Sequence, residues 1–493
     1  MSQQRVLILS ASVGTGHTVA ASALADAFRR QSNAEVVNQD VLELTNEAYA
    51  TLSADAYLMV AKHMPWVLGW VYDVNDVPTE QPLRKLWDLL NTQPVVRFIK
   101  DYQPHICVCT HFIPTGIIAQ LIAMGQLDTS LSVVTTDYDV QSMWLSQTFN
   151  RYFVARDESK ARLIDLGVVA DRITVSGIPV RAEFGEPVDH DAVLANYDLR
   201  ADLPVIVVSA GAVGVGPAQA IVTQIMRMQH VVQCVVICGT NQRLRQAVEA
   251  LTFPHAARFR VLGFTTDMIN LVRVATLFVG KPGGLTASEC MAAGTPMVIV
   301  TPIPGQEERN ADYLLEEGAA VRCNDLDIID YKLDQLLRDP RRLDQLRHNA
   351  RRVGRPDAAQ VIAATALVDR GEPVHFNWPA GRPATRSPGR RLRARRRWQA
   401  ASTAIDLYDD ARGVHLGTVT TTQFRAFRRV LGDFDSDTGT ATLTMEHVAR
   451  FRALGADPQV CDMIAARIAR FGPLRLRRSK VQGAQRLGEA ASA

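Results

Sequence analysis

Gly280-Lys281-Pro282-Gly283-Gly284-Leu285-Thr286-Ala287-Ser288-Glu289 lies between an apolar run, Ala275 to Val279, and a second run from Ala287 to Ala293. The first run reads as a buried strand and the second as the start of a helix. Glycines between them let the backbone turn sharply and approach a ligand closely. A helix start presents unpaired N–H groups and the positive end of its dipole, for which a phosphate or pyrophosphate is the natural occupant. Glu289, one turn into the helix, is placed to accept hydrogen bonds from a ribose diol. An ordinary strand-to-helix turn has the same residues, so the rest of the chain has to decide between the two.

The strand-turn-helix unit recurs. Residues 5–10 read as a strand, 17–31 as a helix of small residues after a glycine turn, and 35–41 as a second strand. Further strand-like runs lie at 105–109, 131–136, 151–155 and 172–176, with helical stretches between them. A second series begins at 204–209 and continues through 232–238, 258–262, 275–279 and 296–301. Apolar strands alternating with helices predict a parallel sheet covered on both faces. Two series predict an α/β chain of two doubly wound halves, hinged at Gly177-Ile178-Pro179-Val180, with ligands at the carboxyl ends of the strands. The expected divisions are 1–178, 179–371, a basic linker over 372–404, a small and mostly helical appendix over 405–475, and a disordered tail over 476–493. The linker holds eight arginines and no acid across 382–397. The appendix carries a weak repeat, Gly417-Thr418-Val419-Thr420 before QFRAFRRVLG and Gly439-Thr440-Ala441-Thr442 before HVARFRALG.

The 493 residues are 47% apolar and 21% charged, with a net charge of +3, which suits a soluble globular protein and does not by itself indicate a nucleic-acid partner. Seven cysteines are scattered, Cys107 and Cys109 forming the only close pair. Without a CxxC pair or a histidine cluster, no zinc site is expected. The odd cysteine count and the lack of an apolar leader before Arg5 point to reduced thiols in a cytoplasm. No apolar run approaches the roughly 18 residues of a membrane span, so contact with a membrane is expected from its surface.

Four motifs at expected strand ends carry chemistry. Ser10 to His17 contains Gly14 and Gly16 and opens the first helix, where the dipole favours a neutral His17 imidazole. A neutral imidazole facing a cleft is a general base, although a histidine there also serves as a mere cap. Ser209 to Gly216, with Gly211, Gly214 and Gly216, is a phosphate-loop candidate without the Lys-Ser/Thr of a Walker sequence. Pro302-Ile303-Pro304-Gly305-Gln306-Glu307-Glu308-Arg309-Asn310 sets polar side chains where sugar hydroxyls would bind, or simply caps a helix. Thr135-Thr136-Asp137-Tyr138-Asp139 has the outline of a metal-binding DxD, but a carboxylate turned toward the cleft is the favoured reading.

Weaker signals concern a lipid. Tyr57, Met59, Met64, Trp66, Trp70 and Tyr72 are dense enough for a membrane interface or an apolar acceptor, and equally for a core. The arginine run suits anionic lipid, a solvated linker or RNA. Asp433-Phe434-Asp435-Ser436-Asp437 opens like a calcium loop, but its glycine is displaced and Glu446 is out of register.

Together, the GxGH of residues 14–17, the TDYD region, GKPGGLTASE at 280–289 and PGQEERN at 304–310 resemble the monogalactosyldiacylglycerol synthases and processive diacylglycerol glucosyltransferases, with MurG-type transferases more distant. CGTN at 238–241 and the Gly263-Phe264 turn also fit, and the resemblance covers roughly residues 5–365. It implies the GT-B fold, two Rossmann-like domains facing a cleft, and transfer of a hexose from a UDP-sugar to diacylglycerol with inversion. By the resemblance, His17 is the base and Asp137 assists or positions it. Gly283, Gly284 and Thr286 contact the diphosphate, Glu289 the ribose, and Gln306 and Glu307 the hexose. Phe264 lines the uracil pocket, Asn241 belongs to the donor site, and the Gly211–Gly216 loop approaches the phosphates or the sugar. Gly14, Gly16, Trp66 and Trp70 fall on the acceptor side. Hydroxyl attack passes through an oxocarbenium-like state, and a helix N-terminus can stabilise the leaving UDP without a metal, so no cofactor is expected. The expected partners are UDP-hexose, diacylglycerol and the anionic inner face of the cell membrane, with no nucleic acid. Three other readings stay open: a MurG-like transfer of an N-acetylhexosamine to a polyprenyl acceptor, a UDP-sugar 2-epimerase, and a nucleotide-sugar sensor without catalysis. Neither the choice of glucose or galactose, the number of sugars added, nor the oligomeric state follows from the sequence.

Overall fold

The five residues Val6 to Leu9 and Ala11 have no exposed surface, so the first strand is covered on both faces. A computed structural model describes residues 3–12, 14–45, 93–251, 258–369 and 371–376, and beyond them four strands with a few neighbouring positions. In the first half, β1 (Arg5–Ser10), β2 (Glu35–Asp40), β3 (Ile106–Cys109), β4 (Ser130–Val134), β6 (Arg151–Val154) and β7 (Ile173–Val175) form one parallel sheet in the order β2-β1-β3-β4-β6-β7. In the second, β8 (Val205–Ser209), β9 (Gln233–Ile237), β10 (Phe259–Leu262), β11 (Leu277–Gly280), β12 (Met297–Val300) and β13 (Ala320–Cys323) repeat the pattern as β10-β9-β8-β11-β12-β13. All these pairings are parallel, with Leu7 opposite Val37 and Cys107, and Phe278 opposite Val207 and Met297. The strand order reverses between β1 and β3 and between β8 and β11, which opens a crevice at those carboxyl ends. The doubly wound α/β expectation holds in both halves, and the two Rossmann-like sheets are those of the GT-B fold.

Alternate residues of each strand serve different cores. Val6, Ile8, Ile106 and Val108 pack under the helices Gly16–Gln31 and Ala358–Val368, through Phe28 and Ile362. Leu7, Leu9, Cys107 and Cys109 face the other layer with Ile118 and Tyr152. The helix Ala358–Val368 follows the second half in the chain yet covers the first sheet, and β14 (Val374–His375) then pairs with β5 (Thr148–Phe149). A third core crosses between the halves: Tyr138, Ala155, Ile178, Val180 and Phe184 pack with Val207, Val235, Phe278 and Met291. The floor of the cleft is thus continuous apolar packing rather than a solvated hinge.

Residues 384–493 form a separate unit. Its described residues include four strands, β15 (Ala404–Asp409), β16 (Val414–Thr420), β17 (Thr440–Leu443) and β18 (Leu474–Lys480), antiparallel in the order β16-β15-β18-β17, and Glu446 and Ala449 are helical. The strands follow a two-residue alternation, as in Ile405-Asp406-Leu407 and Leu474-Arg475-Leu476, together with the β-branched residues of GTVT and GTAT. Lys480 is still in β18, four residues past the expected start of the tail. QFRAFRRVLG, most of HVARFRALG, the arginine run and the calcium-like loop lie outside the described residues.

Candidate active site

The helix Gly16–Gln31 leaves β1 at the topological reversal and carries His17 in its first turn. The His17 Nδ1 lies 3.0 Å from the Thr110 carbonyl oxygen and 2.8 Å from Thr136 Oγ1. A carbonyl oxygen only accepts, so Nδ1 carries the proton and Nε2 is the bare, basic nitrogen. Thr110 comes from the end of β3, and its hydroxyl also donates to the His17 carbonyl at 2.9 Å, fixing backbone and ring together. Nε2 has no hydrogen-bond partner among the described residues. Burial lowers the imidazole pKa to about 4, against the opposing pull of the Thr110 carbonyl, so the ring is neutral at physiological pH. His111 stands edge-on to it with ring centroids 4.5 Å apart, and Trp144 and Phe112 complete an aromatic group around the two imidazoles.

Asp137 is buried and makes no hydrogen bond to His17. Its carboxylate accepts from the Gln306 amide and, at 3.5 Å, from Asn310 Nδ2. Burial pushes the carboxyl up to about 6, and those two amides oppose the shift. The hydrogen-bond partners of His17 Nδ1 are Thr110 and Thr136. The rest of the TDYD segment also reaches across the cleft. The Tyr138 N–H donates to Asn310 Oδ1 at 3.0 Å, its hydroxyl meets Ser288 Oγ at 2.9 Å, and Asp139 pairs with Arg309 at 2.6 Å. Asn310 is fully buried and donates to the Pro282 carbonyl as well, at 3.2 Å. The two acids of Asp-Tyr-Asp therefore hold an amide pair and a guanidinium. Among the described residues no three His, Cys, Asp or Glu side chains converge as a metal site.

On the donor side the helix Gly284–Ala293 begins three residues earlier than Ala287, with Gly283 as its cap. The glycine pair divides its work. A Cβ on Gly283 would meet nothing within 4 Å, so space lies open there. A Cβ on Gly284 would sit 2.0 Å from the Thr136 carbonyl oxygen, so that glycine lets the two halves approach. Where Gly16 faces Leu285, a Cβ would fall 3.6 Å from the leucine Cβ, which places the two helix starts against each other. Glu289 is 6% exposed and makes no hydrogen bond among the described residues. Burial raises its carboxyl to about 8, with Arg181 opposing. Thr286 is half-buried in the same first turn. Glu307 caps its own helix by accepting from the Ile303 N–H at 2.6 Å, and burial raises its carboxyl against the nearby Lys281.

The loop after β8 is similarly mixed. Gly211, at φ +82°, has open space around it, whereas a Cβ on Gly214 would lie 2.2 Å from the Cys238 carbonyl oxygen and one on Gly216 2.9 Å from Ala210 Cα. Asn241, expected in the donor site, spends its amide on structure: Nδ2 donates to Gly214 O at 2.8 Å and Oδ1 accepts from the Leu244 N–H at 3.0 Å. Phe264, after β10, is 59% exposed and presents a free aromatic face. Gly14 is open, at φ +89°. Trp66 and Trp70 lie outside the described residues. The sequence reading did not single out Thr110, His111 or Trp144. A polar pair directly after β3, the strand across the reversal from β1, is the signal that marks the first two.

Two family models match in tandem, that of monogalactosyldiacylglycerol synthase over residues 17–180 and that of group 1 glycosyl transferases over residues 219–353. A processive diacylglycerol beta-glucosyltransferase of Bacillus cereus is 29% identical over 377 residues, 76% of this chain and 96% of that protein. One from Bacillus licheniformis is 26% identical over 373 residues, 75% of this chain and 96% of that protein. Among solved structures, a putative UDP-N-acetylglucosamine 2-epimerase from Listeria monocytogenes superposes with a TM-score of 0.51 at 16% identity, covering 75% of this chain and 99% of that one, which is a likeness of fold. With the synthase model on the half that holds His17 and the transferase model on the half that holds Gly283 and Glu289, the chain is similar to the monogalactosyldiacylglycerol synthases and processive diacylglycerol glucosyltransferases.

Proposed function

We propose that this chain is a glycosyltransferase that moves a hexose, glucose or galactose, from a UDP-sugar to diacylglycerol with inversion at the anomeric carbon. The observation that carries the reading is the fixed tautomer of His17, which leaves Nε2 bare in the first turn of a helix whose Gly16 faces Leu285 of the helix Gly284–Ala293. The acceptor hydroxyl oxygen bonds to the anomeric carbon while the bond from that carbon to the diphosphate oxygen breaks. UDP leaves with the electron pair, and the hydroxyl proton goes to His17 Nε2. Burial keeps the imidazole unprotonated before attack, and the departing diphosphate's charge stabilises the imidazolium afterwards. The free N–H groups at the start of helix Gly284–Ala293 face the charge that develops on the diphosphate. Glu289, buried and making no hydrogen bond among the described residues, takes the ribose diol. Gln306, Glu307 and Thr286 complete the donor side, and exposed Phe264 offers its ring to the uracil.

The relatives' names support diacylglycerol as acceptor and glucose as one candidate sugar. Work at the inner face of the cell membrane, from its surface, fits that acceptor. No described helix is long and apolar enough to cross a bilayer. The test is transfer of radiolabel from UDP-glucose and UDP-galactose into a lipid extract. A labelled glycolipid from one donor is expected, and no lipid product from either would sink the proposal.

A further inference from the structure

His111 has only 1% of its surface exposed and no assigned task. It caps the helix Phe112–Ala123, with Nδ1 accepting from the Ile113 N–H at 3.1 Å. An imidazole nitrogen that accepts carries no proton. Burial, reinforced by the neighbouring His17, holds the ring well below its ordinary pKa and therefore neutral, so the single ring proton sits on Nε2. That N–H has no hydrogen-bond partner among the described residues. The ring that carries it is in contact with the base. The two rings, 4.5 Å apart, have opposite tautomers, each set by backbone: His17 offers a lone pair at Nε2 and His111 offers a proton at Nε2.

The chemistry of the proposed acceptor matches that pair. Close to its one free hydroxyl, a diacylglycerol presents ester oxygens and no donor. A base takes the hydroxyl proton, and only a donor can bind the neighbouring ester carbonyl. We infer that His111 is an acceptor-binding residue, its Nε2–H donating a hydrogen bond to an ester carbonyl oxygen beside the attacking hydroxyl. This rests on the reading of His17 as base and diacylglycerol as acceptor.

The test pairs one variant with one acceptor analogue. His111→Asn keeps a side-chain oxygen to cap the helix but removes the Nε2–H. It is expected to raise KM for diacylglycerol roughly tenfold while calorimetry shows UDP affinity unchanged. An ether-linked dialkylglycerol, which has the hydroxyl but no ester carbonyl, is expected to show the same loss with the unaltered protein and no further loss with H111N. If the unaltered protein uses the ether and ester lipids alike, the inference is overturned without recourse to a variant. It is overturned also if H111N loses equally on both acceptors, the mark of a merely structural role. If UDP binds but the unaltered protein labels no lipid at all, the functional reading itself falls and takes this inference with it.

Discussion

At the scale of single residues, burial sets the protonation of two side chains. His17 is neutral with a named bare nitrogen, and Glu289 is a buried carboxyl that makes no hydrogen bond among the described residues. His17→Ala is expected to reduce turnover on the order of a thousandfold while leaving UDP affinity nearly intact. A parallel fall in UDP binding, measured by calorimetry, would show that the residue is not the base. Glu289→Ala is expected to act the other way, weakening UDP binding roughly tenfold in the same experiment. Glu289 also has a signature in stability. Its folded pKa of about 8 lies above the ordinary 4.5, so the native state holds this proton more tightly than the unfolded chain does. The linked stability is fully present below 4.5 and is lost as pH rises through about 8. Denaturation midpoints of Glu289→Gln should fall less than those of the unaltered protein across that window, and an identical fall would mean that Glu289 is not the buried acid. The positions of both residues were legible in GxGH and GGLTASE. The His17 tautomer was not, because Thr110 and Thr136 lie 93 and 119 residues away in the chain.

At the scale of elements, the Gly283-Gly284 turn separates two jobs that look alike in sequence. Gly284→Ala would drive a methyl into the Thr136 carbonyl, so it is expected to lower the unfolding midpoint clearly. Gly283→Ala has open space and should fold normally, yet weaken UDP binding by occupying ligand volume. Thermal unfolding beside calorimetry checks the pair, and equal midpoints for both variants would refute the division. Propensity argues against a helix that begins at glycine, which is why Ala287 is the start that sequence alone suggests. The close approach of Thr136 requires the missing Cβ and overrides propensity. The appendix shows the same contest between periods: a helical pattern in its longer segments sets the expectation, while short alternating segments such as AIDLYD pair as strands.

At the scale of the whole molecule, the TDYD and QEERN segments form a clasp between the halves. Asp137 holds Gln306 and Asn310, Asp139 holds Arg309, and Tyr138 reaches Asn310 and Ser288. Asp137→Ala is expected to orphan the Gln306 amide and cost about 1–3 kcal/mol in denaturant unfolding. It should also raise KM for the UDP-sugar, because Gln306 loses its orientation. An unchanged midpoint would show that the clasp carries no load. The sequence by itself determined the two series of buried strands, the parallel class and the chemistry stationed at the strand ends, because periodicity and turn residues act over a few neighbours. Only the tertiary structure decided which of those polar groups meet each other. Asp137 read as an aid to the base and Asn241 as a donor-site residue, and folding brings their side chains onto Gln306 and Gly214. The partner of a hydrogen bond is chosen by distance in space, across two sheets that no local pattern brings together.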